Sequence, residues 1–201
     1  MEFWNEIILE KSWNVLQKIS REFDFVLIGG WAVYLWTNSQ KSKDVDVIIE
    51  YKALDYLKKN YMLKKNDYLK KYEIVIDDVD VDIYLPYFSD LGIPVEEITK
   101  HKVKVRGIET LPPELLLILK QKAERDRRDS VKGQKDQVDI LNLLVRLDIN
   151  WKVYKEFLEM YHLQEYKREL LHLIKAFGMV EYIGMNPREY KLWKRNVLAY
   201  L

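Results

Sequence analysis

Asp44-Val45-Asp46 is the segment of the chain best suited to chemistry. On an extended backbone residues i and i+2 share a face, so the two carboxylates stand side by side. Like charges that close repel unless a cation lies between them. Val45, Val47, Ile48 and Ile49 around them are strand formers that seek a core. A carboxylate pair on such a strand is costly, and a bound metal ion would offset the cost. Oxygen donors without sulfur or imidazole suit Mg²⁺ or Mn²⁺. A second acidic run follows, in which Asp78, Asp80 and Asp82 alternate with Val79, Val81 and Ile83. Asp82, deepest in VDIYL, is the first choice for a third ligand from a neighbouring strand, with Asp80 in reserve. The alternative is a row of solvent-facing acids on an antiparallel sheet. Gly29-Gly30 is the third feature. Without a Cβ the backbone there can approach a phosphate closely, although a tight strand–helix turn would use glycines too.

These groups need elements to position them. Residues 2–19 carry Ile7, Ile8, Trp13, Leu16 and Ile19 near helical spacing, which predicts an amphipathic helix. Residues 23–28 predict a strand, Gly29-Gly30 a turn, and residues 31–36 a helix. The alternation in 44–50 predicts a strand, and 51–60 a helix. Residues 61–63 open another strand or a turn. Residues 72–76 and 79–85 predict strands about a turn at Asp77-Asp78, and Pro86 ends the second. Residues 103–106 predict a short strand. From 111 onward the period is helical: Pro112-Pro113 leads into a helix over 114–127, then a polar loop over 129–134 containing Gly133, then a helix over 135–147. Beyond 150 come helices at 151–161, 164–177 and 187–200, separated by Gly178, Gly184 and Asn186-Pro187. The expected fold is α+β. A mixed sheet flanked by helices occupies 1–110, and a helical region occupies 111–201, with a helical subdomain at 150–201.

Composition narrows the chemistry. The 201 residues include no cysteine and only three histidines, His101, His162 and His172. That excludes a disulfide scaffold and thiolate metal sites, and leaves little for zinc. The longest apolar runs, 31–36 and 115–119, are far short of the roughly 20 residues of a membrane span. The opening MEFWNEIILEK carries acids where a signal peptide begins with bases, so a soluble, cytoplasmic protein is expected. With 33 basic and 32 acidic residues, net charge +1 exerts no global pull on nucleic acid. The bases are nonetheless clustered. Lys58, Lys59, Lys64, Lys65, Lys70 and Lys71 form one group, and eleven bases against five acids fill 100–135. Around one cleft they would suit a polyanion; the alternative is a solvated charged face. The aromatic-rich tail from Trp151 to Trp193 is expected to be the core of the helical subdomain rather than an interface.

The order of these features resembles the nucleotidyltransferase superfamily, the polymerase-β-like fold. Its signature is matched by Ile28-Gly29-Gly30, then Ser42-Lys43-Asp44-Val45-Asp46, then Asp82. A further stretch, 111–144, is similar to the toxin components of abortive-infection toxin–antitoxin systems within that superfamily. The matching positions are Glu114, Leu116, Leu117, Lys120, Ala123, Arg127, Lys135, Asp136, Asp139 and Ile140. Together the resemblance covers about residues 24–144. It departs at Gln40, where relatives often carry Arg, and a lysine at 41 or 43 lacks bidentate Arg geometry.

The resemblance implies transfer of a nucleoside monophosphate from an NTP to an acceptor hydroxyl. Asp44, Asp46 and Asp82 would be the catalytic metal ligands. Gly29, Gly30, Ser42 and Lys43 would bind the triphosphate. Lys120 would act with Arg127 on phosphate charge, and Asp136 and Asp139 would orient those bases or one of them serve as a supplementary base. Lys120 and Arg127 lie on one helix face at i and i+7, and Asp136 and Asp139 on one face of the next helix. The bland alternative is an exposed helix pair with ordinary ion pairs. RNA, particularly a tRNA 3′ end, a protein or a small molecule are the acceptors to consider, and a cognate antitoxin protein the partner. The competing reading is a catalytically silent module on the same fold that binds nucleotide or protein.

Overall fold

The computed structural model describes residues 5–201. The opening of the expected first helix, 2–4, lies outside the described residues. The described chain divides into two compact units, one ending at Pro112 and one spanning Pro113–Leu201.

The first unit is built on a seven-stranded mixed sheet. In chain order its elements are α1 (Glu6–Ile19), β1 (Val26–Ile28), α2 (Gly29–Thr37), β2 (Val45–Ile48), α3 (Tyr51–Asn60), β3 (Lys64–Asn66), β4 (Lys71–Ile76), β5 (Val79–Tyr84), α4 (Val95–Ile98), β6 (Val103–Val105) and β7 (Ile108–Thr110). The strand order is β3-β4-β5-β2-β1-β7-β6. β2 runs parallel to β5, and β1 parallel to β7; the other neighbours are antiparallel. The period-2 pattern explains this sheet. Val45, Val47, Val79, Val81, Ile83, Ile74 and Ile76 are buried, while the residues between them are polar or more exposed. Helix α1 packs against β2 and β5.

Several expectations change. The buried stripe of α1 is Leu9, Ser12, Val15, Leu16 and Ile19, spaced i, i+3, i+6, i+7 and i+10; Ile7 and Ile8 are exposed. Asn5 caps the helix by accepting from the Ile7 amide. The third strand begins at Lys64, after the stretch 61–63. Strand β7 and helix α4 were too short to show a period. The fold class is α+β, a mixed sheet flanked by helices, followed by a helical unit, as the sequence predicts.

The second unit holds α5 (Pro113–Arg127), α6 (Val131–Arg146), α7 (Trp151–Met160), α8 (Glu165–Ala176) and α9 (Pro187–Val197). Gly133 is not in a loop. It lies in the first turn of α6, where a Cβ would come within 2.2 Å of the Arg127 carbonyl oxygen. The glycine lets α6 start against the end of α5, and the true connection is only Arg128–Ser130. Ser130 caps α6, accepting from the Gly133 amide at 3.0 Å. The tail aromatics Tyr154, Phe157, Tyr166, Phe177 and Tyr190 are buried, so they form this unit's core.

Candidate active site

The register of the central strands sets the carboxylates. Asp46 on β2 is the Cα partner of Asp82 on parallel β5. Paired residues of neighbouring strands point to one face, so these two carboxylates are neighbours across the ladder. Asp44 precedes β2 by one residue, and its side chain is largely covered. Asp80 is exposed and lies opposite Val75. The pairing therefore brings Asp82, not Asp80, beside Asp46.

Gly29 completes this corner. Ile28 at the end of β1 pairs with Asp46, and α2 begins at the next residue. No turn separates strand from helix: Gly29, at φ +69°, is itself the first helical residue. A Cβ on it would lie 2.1 Å from Asp46 Oδ2. Only glycine tolerates both the left-handed backbone and that approach. Consequently the N-terminus of α2, which has no side-chain cap, opens beside the Asp46 carboxylate. Its free amides and the positive end of its dipole favour an anion there. Gly30 is buried in the same turn. Ser42 and Lys43 are half-buried on the segment entering β2, and Lys43 Nζ lies 3.8 Å from Asp44 Oδ1.

Three further residues belong to this face. Lys71 Nζ lies 2.7 Å from Asp82 Oδ2 and 3.1 Å from Glu73 Oε1. Glu73 is the antiparallel partner of Asp82. The Tyr84 hydroxyl, two residues along from Asp82, lies 3.5 Å from Asp46 Oδ1, a long contact. Burial pushes the Asp82 carboxyl above its ordinary pKa, Glu73 and Asp44 add to this, and Lys71 opposes it. Burial would lower the Lys71 ammonium, but Asp82 and Glu73 outweigh it and hold it above its ordinary value. Burial and the neighbouring carboxylates thus set the direction for Asp82, and two carboxylates around one ammonium set it for Lys71. Sequence reading missed Glu73 and Lys71, although the signal was present. A two-residue turn at Asp77-Asp78 pairs Ile76 with Val79, and counting back three pairs sets Glu73 against Asp82.

In the helical unit the matched residues form a buried charge network. Lys120 Nζ lies 2.9 Å from Asp136 Oδ1 and 2.8 Å from Asp139 Oδ2. Lys135 Nζ lies 2.5 Å from Asp139 Oδ1, and Arg127 Nε donates to Asp136 Oδ2 at 2.7 Å. Lys120, Lys135, Asp136 and Asp139 are all buried, and only Arg127 reaches the surface. This is not the exposed helix pair of the bland alternative. Burial would lower the Lys120 ammonium, but Asp136 and Asp139 hold it well above its ordinary pKa. Burial depresses Lys135. Burial would raise Asp136, yet Lys120 and Arg127 keep it below the usual carboxylate range. Each base is thus already matched to an acid within its own unit. Most of the other bases in 100–135 are paired too: Lys100 with Glu97, Lys102 with Glu109, Lys122 with Asp126, and Arg128 with Glu124.

The donor chemistry of the sheet corner fits Mg²⁺. Asp44, Asp46 and Asp82 offer hard carboxylate oxygens at adjoining positions, beside a cradle that a Cβ at residue 29 would fill. Among the described residues no three His, Asp or Glu side chains are gathered closely enough to hold a metal ion as they stand. Asp82 is turned onto Lys71. The corner therefore sets the Asp46 carboxylate against Gly29, with Asp82 held by an internal lysine.

No protein-family model matches the chain, and no curated protein matches it in sequence. Solved structures similar to it include the following three. One is a candidate nucleotidyltransferase of Thermotoga maritima, 18% identical, covering 63% of this chain and 92% of that one, with a TM-score of 0.47. The second is an antigenic nucleotidyltransferase-like protein of Paracoccidioides brasiliensis, 15% identical, covering 88% and 92%, with a TM-score of 0.48. The third is the Megavirus polyadenylate synthase, 15% identical, covering 70% of this chain and 31% of that one, with a TM-score of 0.46. These are distant likenesses of chain path, and the chemistry has to come from this chain's own residues. No helix among the described residues is long and apolar enough to cross a membrane.

Proposed function

We propose that the chain is a nucleotidyltransferase that moves a nucleoside monophosphate from an NTP to an acceptor hydroxyl. The observation that carries this is the corner itself: Asp46 and Asp82 in register on parallel strands, against a glycine helix start that admits no side chain. Asp44 and Asp46 would hold Mg²⁺ or Mn²⁺, with Asp82 as the third ligand. The bound metal would offset triphosphate charge and stabilise the entering and leaving oxygens. The α2 amides at Gly29 and Gly30 would receive phosphate oxygens, with Ser42 and Lys43 at the entrance to β2. The acceptor oxygen bonds to the α-phosphorus while the bond to the bridging oxygen of pyrophosphate breaks, and pyrophosphate leaves. The hydroxyl proton passes to the Asp82 carboxylate. Arg127 is the surface member of the helical network. Lys120, Asp136 and Asp139 hold it in place. RNA is the acceptor we favour, and a toxin–antitoxin pairing the context.

Incubation with each α-³²P-labelled NTP and Mg²⁺, against total RNA and total protein, tests this. Transfer that disappears in Asp44→Ala and Asp46→Ala supports it. Transfer that survives both changes overturns it. The Lys71–Asp82 pair supports a second reading, a silent nucleotide-binding module, because an ammonium already fills that position. Calorimetry separates the two: NTP binding without turnover under any metal favours the module.

A further inference from the structure

Away from the carboxylates, the first unit contains a cleft of about 930 Å³ between α1, α2 and the β6–β7 hairpin. Its wall is aromatic. Trp13 and Tyr34 meet edge to face at 6.3 Å between centroids, and each also contacts Trp31. Trp31 is buried, with its indole N–H donated to Ser12 Oγ, but Trp13, Tyr34 and Phe23 keep part of their surface exposed. The rim is cationic: Arg21, Lys41, Lys104 and Arg106 line it, and none of the four has a carboxylate partner among the described residues. Two of the three acids along the cleft are already matched, Asp24 by Lys52 and Glu109 by Lys102, leaving Glu10.

Arg106 is the telling residue. It and Gly107 form the two-residue tip of the β6–β7 hairpin, with φ of 51° and 87°. Such tips favour Asn-Gly or Asp-Gly. A long side chain in the left-handed region is strained, and strain of that kind marks sites under functional constraint. Here it sets an unpaired guanidinium at the mouth of an aromatic cleft.

We propose that this cleft binds single-stranded nucleic acid, with bases stacked on Trp13, Tyr34 and Phe23 and phosphates on the four free cations. Partly exposed rings beside cations are the chemistry of base stacking with backbone neutralisation. An acidic peptide would need the cations but not the aromatic wall. Lys41 is three residues from Asp44, so at most about 11 Å of chain separates the rim from the carboxylates. Delivery of a strand end to Asp44 rests on the transfer reading; occupancy of the cleft does not.

The test uses the full chain without NTP or divalent metal. Fluorescein-labelled single-stranded RNA and DNA 12-mers are titrated by anisotropy, with tryptophan emission followed in parallel. Binding with quenched emission is expected. Lys104→Glu with Arg106→Glu should weaken it at least tenfold, and lower the slope of log affinity against log salt by about 2. Arg188→Glu with Lys191→Glu, exposed on α9, should leave it unchanged. Trp13→Leu should weaken binding and remove most of the quenching. If the hairpin pair fails to fold by circular dichroism, Arg21→Glu with Lys41→Ala answers the same question. Binding unchanged by these reversals overturns the proposal. So does failure of any oligonucleotide to bind, or preference for a free mononucleotide or a polyglutamate peptide. If reversal abolishes oligonucleotide binding but no NTP is ever transferred, the transfer reading fails alone. If Asp44→Ala abolishes transfer while reversal leaves binding intact, the cleft proposal fails alone.

Discussion

Gly29 and Asp46 define each other. The glycine supplies an αL backbone and empty space, and the carboxylate fills that space. Gly29→Ala should therefore damage this corner more than an ordinary strand–helix junction, costing about 1–3 kcal/mol from overpacking and strain. Transfer activity should fall with it. Thermal melting together with the labelling assay checks both, and a variant with unchanged Tm and activity would contradict the packing seen here. Lys71 gives a second prediction at this scale. Its ammonium holds Asp82 from Asp82's own face of the sheet, so it competes with any added cation. Lys71→Met should tighten Mn²⁺ binding, measured by calorimetry, by about 1 kcal/mol or roughly fivefold. Unchanged or weaker Mn²⁺ binding would show that Lys71 does not guard this position.

The α5–α6 pair is where element-scale expectations are sharpest. Gly133→Ala places a methyl group against the Arg127 carbonyl, and should lower stability by about 1–3 kcal/mol. Gly178→Ala meets open space and should be neutral or stabilising by up to about 1 kcal/mol. Urea titrations of the two variants make the comparison. Lys120→Met removes the cation shared by two buried carboxylates, leaving Asp136 with Arg127 and Asp139 with Lys135, and should cost about 3 kcal/mol. The same network predicts acid lability. Asp136 has a depressed folded pKa, so its stabilisation is present above its unfolded value, about 3.9, and is lost as pH falls through the lower folded value. The urea midpoint of wild type should drop between about pH 5 and 2, and Asp136→Asn should flatten that drop.

This network also shows what sequence can and cannot carry. Helix faces were legible, because Lys120 with Arg127, and Asp136 with Asp139, follow from the 3.6 period alone. Their burial was not, since a lysine's periodicity does not say whether its end is wet. Gly133 looked like a loop because glycine signals both flexible turns and close approaches. The sheet was legible where alternation or an apolar run marked it, three-residue β1 and β6 included, while β7 gave no signal. Asp82, the first choice for a third ligand, lies in register with Asp46, whereas only pairing arithmetic exposes Glu73.

Over the whole molecule, near-balance of charge hides strong local order. About half of the acids and bases are matched in ion pairs, while Arg21, Lys41, Lys104 and Arg106 have no carboxylate partner among the described residues around one cleft. With net charge +1 at pH 7, long-range repulsion between copies is small. Solubility should be lowest near neutral pH and rise on either side, as light scattering across pH 5–9 would show.

The sheet's connectivity has a consequence for synthesis of the chain. β1 gains its parallel neighbour only through β7, by the pairing of Leu27 with Thr110 and a hydrogen bond from the Thr110 hydroxyl to the Leu27 carbonyl, 83 residues apart. At roughly 5–20 residues per second on a ribosome, that edge waits roughly 4–17 s for its partner. Throughout that interval a short, wholly apolar strand has an unsatisfied side. The nascent chain is most vulnerable to mispairing then, before the last third of its sequence has been translated.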